Sequence, residues 1–147
     1  MIPIPLPVQL PVDMPHQCVL QAAMDYQVSP AILYAIRTKE GGKVGVSSAI
    51  NTNNTRDHNQ TQINDKWMNT FYKQEGIHPQ LLASDACLGI RATAYIIRYE
   101  INRVGDFWRG VGNYHSRTQE KNKNYLKDIY PLSMQYEQIL RRNGWIK

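Results

Sequence analysis

Between Asp85 and Gly105 the residues Ala86, Ile90, Ala94, Ile97, Ile101 and Val104 return every three or four positions. Only a helix gathers such positions onto one side. A stripe of that length has to be covered by other helices, so it commits the chain to a helical core. Asp85 is placed to cap the start and Gly105 to end it.

The flanking segments read the same way. Gln17–Tyr26 carries Cys18, Ala22 and Tyr26 at helical spacing. Ser29 followed by Pro30 predicts an N-cap and a proline at the first helical position. That helix runs through Ile32, Leu33 and Ile36 and stops at Gly41-Gly42. Asp65 opens a short helix with Trp67 and Phe71, His78-Pro79 another, and Asp106 a third through Trp108 and Val111. Thr118–Tyr130 and Ser133–Arg142 read as two last helices, separated by Pro131. Residues 43–64 are rich in Asn, Thr and Ser and read as an irregular polar loop. No strand, hairpin or internal repeat is expected, so the class is all-α. Residues 1–15 hold five prolines (Pro3, Pro5, Pro7, Pro11, Pro15), which favours an extended arm ahead of one domain over 16–147.

Composition narrows the function classes. Hydrophobic residues are 42% and charged residues 20% of 147, ordinary for a globular chain and unlike a disordered or collagenous one. No run approaches the ~18 apolar residues of a spanning helix. The net charge of +5 favours anionic partners such as nucleic acid, acidic lipid or bacterial cell wall. The basic residues are dispersed, however, which speaks against nucleic-acid binding. Cys18 and Cys87 have no metal-type spacing, so no zinc site is expected. Composition leaves open whether they are two buried thiols or a bridge, which would close a loop of about 70 residues and be worth roughly 4 kcal/mol. The arm lacks the basic start and apolar run of a secretory signal.

Among the carboxyls, Asp13, Asp25, Asp65, Asp85, Glu100 and Asp106 fall on polar faces or caps. Glu40 is different: it lies seven residues after Leu33 and four after Ile36, continuing the apolar stripe in the last turn. Burial and the negative end of the helix both raise a carboxyl pKa, which suits a general acid. A helix end paired with Arg37 in solvent is the plainer alternative. Asp57 to Trp67 sets amide side chains beside an aromatic ring, a combination suited to N-acetyl and hydroxyl groups or simply to a polar loop. Asn113-Tyr114-His115-Ser116 follows the Trp108 helix.

Together these pieces resemble the lytic transglycosylases of the lysozyme superfamily, in particular the small subgroup associated with conjugation, type IV secretion and pilus assembly. The resemblance spans Cys18 to Tyr130. It rests on a helix ending in Glu40-Gly41-Gly42, on Asn51-Thr52-Asn53-Asn54 leading to Thr61-Gln62-Ile63-Asn64 and Trp67, and on Trp108, Val111-Gly112 and Tyr114-His115-Ser116. It differs in Gly41, where Ser is usual, and in Asn59-Gln60-Thr61, where Gly-Leu-Met is usual. Asn59 can adopt the positive φ of the glycine it replaces.

The resemblance implies a lysozyme-like helical fold and cleavage of the bond between N-acetylmuramic acid and N-acetylglucosamine, with Glu40 as the catalytic acid. It implies that Gln62 and Asn64 orient the N-acetyl group or brace the site, that Thr61 and Asn59 contact sugar, and that Tyr114 holds the sugar or Glu40. His115, Ser116 and Tyr125 support these from behind. It implies a Cys18–Cys87 bridge, no metal or organic cofactor, and a monomer in the periplasm whose signal is missing from this sequence. Glycan strands of peptidoglycan are the expected partner, with components of a secretion, conjugation or pilus machine as further ones; nucleic acid and a membrane span are not expected. A non-catalytic wall-binding scaffold and a hydrolytic muramidase of the same fold are the alternatives.

Overall fold

The computed structural model describes residues 10–147. The part of the expected arm before Leu10 lies outside the described residues. Among those described, seven helices dominate: α1 (His16–Tyr26), α2 (Pro30–Glu40), α3 (Asp65–Glu75), α4 (Pro79–Ser84), α5 (Ala86–Val104), α6 (Phe107–Asn113) and α7 (Gln119–Arg142). The chain is mainly helical, and no described helix is long and apolar enough to cross a membrane.

Capping follows the sequence in most places. The Asp85 carboxylate accepts from Leu88 N at 2.8 Å and starts α5, and Asp106 does the same for Arg109 N at α6. Gly105 ends α5 in the left-handed conformation. Ser29 does occupy the N-cap of α2, with Pro30 behind it, but its hydroxyl makes no capping bond. The Ile32 N–H is satisfied by the Ser29 carbonyl instead, at 3.1 Å.

Two expectations are corrected. The two helices assigned either side of Pro131 are one continuous α7. An interior proline costs about 3 kcal/mol. Here it sits on the exposed side, while Tyr125, Ile129, Ser133, Tyr136 and Leu140 bury the opposite side. That burial outweighs one lost hydrogen bond. The polar loop also contains a short antiparallel pair, β1 (Asp57–His58) with β2 (Ile63–Asn64), matched Asp57 to Asn64 and His58 to Ile63. Two residues per strand are too few to leave a period in the sequence.

The core has two parts. The larger joins α1, α2, α5 and α7 through Val19, Leu33, Ile36, Ile90, Ile97, Ile129 and Leu140. The smaller gathers Ile63, Met68, Phe71, Leu82 and Ile96 around α3, α4 and α5. Tyr114 packs against both. A disulfide joins Cys18 of α1 to Cys87 of α5, with Cα atoms 5.4 Å apart. Residues 10–15 are tied down rather than free: Met14 is buried, and Asp13 accepts from the Arg37 guanidinium at 2.9 Å.

Candidate active site

A groove of about 550 Å³ opens where the two parts of the core meet. It is lined by Glu40 from α2, Asn51 to Asn53 and Asp57 from the polar loop, Gln62 to Asn64 from the hairpin, and Trp67 from α3. Ile96, Tyr114, His115 and Lys121 complete it. Glu40 therefore faces a sheltered space rather than open solvent, and Arg37 is not its partner, being bound to Asp13.

Burial is the main cause that raises the Glu40 pKa from 4.5 to about 7. The Asp57 charge across the groove raises it further. Two effects oppose: Tyr125 Oη donates to Glu40 Oε2 at 2.7 Å, and Lys39 lies near. Among the described residues Oε1 of Glu40 accepts no hydrogen bond, which leaves one oxygen of the carboxyl for a proton and a substrate.

The other site residues divide by what their polar atoms are already doing. Gln62 lines the groove with only Nε2 engaged, donating to the Asn59 carbonyl at 3.2 Å. Its φ of +58° is uncommon for a residue with a side chain, at a cost of about 1–2 kcal/mol. Asn64 lines the groove as well, but its amide is committed internally. Its oxygen accepts from Lys66 N, and its nitrogen donates to Thr55 Oγ1 and Asp57 Oδ1, both at 2.9 Å. Asn64 is thus a brace for Asp57, which also accepts from Asn51 Nδ2 at 3.1 Å.

Thr61 and Asn59 do not reach the groove, and the expectation of sugar contacts there is corrected. Both are fully buried. Thr61 Oγ1 bonds Thr93 Oγ1 at 2.7 Å, and Asn59 Nδ2 donates to the carbonyls of Leu82 and Asp85. Asn59 does take the positive φ, +69°, that the turn needs. Gln60 Nε2 donates to the carbonyls of Asp13 and Ala86. These polar side chains replace an apolar anchor with hydrogen bonds, which explains why the turn survives without a Leu-Met pair. The turn also needs Gly42, where a Cβ would lie 2.3 Å from the Asn59 carbonyl oxygen and 2.6 Å from Gln62 Nε2.

Tyr114 does not touch Glu40 with its hydroxyl, which donates to the Thr61 carbonyl at 2.7 Å. Burial, and next the Glu40 charge, hold that phenol protonated well above its usual range. The tyrosine on Glu40 is Tyr125, from a helix whose register no local motif announces. His115 stacks on Tyr125, ring centroids 4.7 Å apart, and burial, then Lys39 and Lys121, lowers its pKa and so favours the neutral ring. Ser116 stands outside the groove and accepts from Thr118 N at 3.1 Å. Lys121 is a wall residue that sequence reasoning missed; a lone lysine in a charged helix gives no signal. Among the described residues no group of three or more His, Cys, Asp or Glu is placed to hold a metal ion.

No family model matches the chain. It is similar to the protein IpgF of Shigella sonnei, 29% identical over 117 residues that cover 77% of this chain and 76% of that one. IpgF of Shigella flexneri matches to the same extent. The X polypeptide of Escherichia coli strain K12 is 28% identical over 119 residues, covering 77% and 70%. What the site itself defines is a class of chemistry: a carboxyl with a raised pKa in a groove walled by amides and aromatic rings, suited to proton transfer on a polar ligand.

Proposed function

We propose that the chain is a peptidoglycan lytic transglycosylase with a lysozyme-like fold. The observation that carries the reading is Glu40. A carboxyl titrating near pH 7 is present at neutral pH in both forms, so one group can serve first as acid and then as base. Protonated Glu40 gives its proton to the oxygen between N-acetylmuramic acid and N-acetylglucosamine, and the C1–O bond breaks. The carbonyl oxygen of the substrate's own N-acetyl group stabilises C1. Ionised Glu40 then takes the proton of the C6 hydroxyl as O6 closes on C1. The 1,6-anhydro sugar leaves, and Glu40 is protonated again without water or a cofactor.

The surroundings support each role. Tyr125 fixes Oε2 and so aims Oε1. Gln62 keeps its amide oxygen and one N–H free to take an N-acetyl group. Trp67 offers a flat face at the groove wall. The Cys18–Cys87 bridge supports an exported protein, since disulfides persist in oxidising compartments, and with it a periplasmic role in opening the wall locally for a secretion, conjugation or pilus apparatus.

Asp57 favours a second reading. It is the other carboxyl in the groove and its charge acts on Glu40. A retaining hydrolase uses two carboxyls about 5 Å apart. Digestion of purified peptidoglycan and mass spectrometry of the products decides between them. Terminal 1,6-anhydro sugars are expected, absent with Glu40→Gln; reducing ends would make the protein a muramidase. No cleavage by the native chain would leave it a binding or scaffold protein.

A further inference from the structure

Glu100 is not on a polar face, as its sequence position suggested, but buried: its side chain is 2% exposed. Burial alone would raise its pKa, yet hydrogen bonds from Arg117 and then Arg103 turn the balance and hold it low. Arg117 grips it with two donors, Nε to Oε1 at 2.7 Å and Nη2 to Oε2 at 3.1 Å. Arg103 Nε adds a third at 3.0 Å. Two guanidiniums on one carboxylate leave a positive charge in excess.

Arg117 of this cluster, though not Arg103, faces a second cavity of about 600 Å³, where Lys66 leaves one positive charge in excess over Glu100. Glu100 and Arg117 line it with Lys66, Trp67 and Tyr99. Asn64, Trp67, Tyr114 and His115 line both this cavity and the Glu40 groove, so the two adjoin. Arg117 remains 58% exposed although its fork is fixed. Among the described residues its Nη1, and the Lys66 amine, donate no hydrogen bond. A guanidinium locked by a buried carboxylate loses little rotamer freedom when it binds, which favours affinity. Trp67 and Tyr99 meet edge to face with centroids 5.4 Å apart, an apolar wall beside the charges.

We propose that this second cavity is a carboxylate pocket, in which Arg117, oriented by Glu100, and Lys66 bind the acidic peptide that branches from a glycan lying in the Glu40 groove. This rests on the reading of that groove as a peptidoglycan site. The peptide branches from the muramic acid and carries free carboxylates and short aliphatic side chains, matching the two kinds of wall. A concave pocket joined to the groove takes a branch of that ligand; a lipid surface would need a flat or protruding face.

The test compares intact peptidoglycan with the same glycan stripped of peptides by an amidase. Lys66→Gln removes a charge with no internal bond, and Arg117→Gln removes the clamped one. Each should raise KM on intact peptidoglycan roughly tenfold at unchanged kcat, the low end for a hydrogen bond between charged groups. On stripped glycan both should match the native protein. Equal loss on the two substrates, or none on either, overturns the pocket. Calorimetric titration with the free L-Ala-γ-D-Glu-diaminopimelate tripeptide reads the pocket without catalysis. If the native chain cleaves neither substrate, the transglycosylase reading fails. The pocket then stands if Lys66→Gln weakens tripeptide binding, and falls if binding is unchanged or absent.

Discussion

Replacing Glu40 with Gln should stabilise this protein above neutral pH while removing its proposed activity. In the unfolded chain Glu40 titrates near its ordinary 4.5; in the fold it titrates at about 7. The folded state therefore holds the extra proton, and stability is fully present below pH 4.5 and lost as pH rises to 7. At about 1.4 kcal/mol per pH unit, the interval from 4.5 to about 7 makes the loss about 3–4 kcal/mol. Glu40 is only partly buried, and solvent screening makes this an upper value. Gln keeps the shape and accepts the Tyr125 hydroxyl, but carries no charge to desolvate. Thermal unfolding of both proteins from pH 4 to pH 8 isolates the effect, because every other titrating group is shared. At pH 4 the two should melt together. At pH 8 the Gln variant should melt higher, by up to roughly 6–12 °C for a domain of this size. Parallel curves across that range would refute the claim that burial holds the Glu40 proton. The same titration predicts that kcat/KM for the proposed activity declines above pH 7.

Tyr125→Phe removes the hydrogen bond that pulls the Glu40 pKa down, so the alkaline limb of the rate profile should move to higher pH, with a stability loss of about 1–3 kcal/mol. Asp57→Asn removes a charge that pushes it up; the limb should move to lower pH, and persistence of 1,6-anhydro products would show that Asp57 is no nucleophile. Reducing the Cys18–Cys87 bridge, or replacing both residues with Ser, should cost about 2–5 kcal/mol in urea unfolding.

The helical frame was legible because its signals are local. The α5 stripe, the Asp85 and Asp106 caps and the Gly41 and Gly105 stops each act within one or two turns. Glu40 was legible for the same reason, since its position on the α2 stripe already implies burial. What stayed hidden depends on contacts between distant segments. Pro131 is tolerated because of packing on α2, which the α7 sequence does not display. Glu100 looks like a surface residue until Arg117 folds back onto it. Asn59 and Thr61 look like ligand-binding residues because they are polar; their partners, the carbonyls near Asp85 and the Thr93 hydroxyl, come from elsewhere in the chain. Tyr114 and Tyr125 were each placed near the site, but which hydroxyl meets Glu40 is set by how α7 lies against α2.

That packing bears on how the molecule comes into being. Tyr125 donates to Glu40, and Tyr136 bonds Thr38, two residues before that carboxyl, at 2.6 Å. A chain emerging from the ribosome has made α2 long before α7 exists. Until the last helix docks, Glu40 lacks the Tyr125 hydroxyl and α2 lacks the face that α7 covers. The surroundings of Glu40 are therefore completed only with the final stretch of translation.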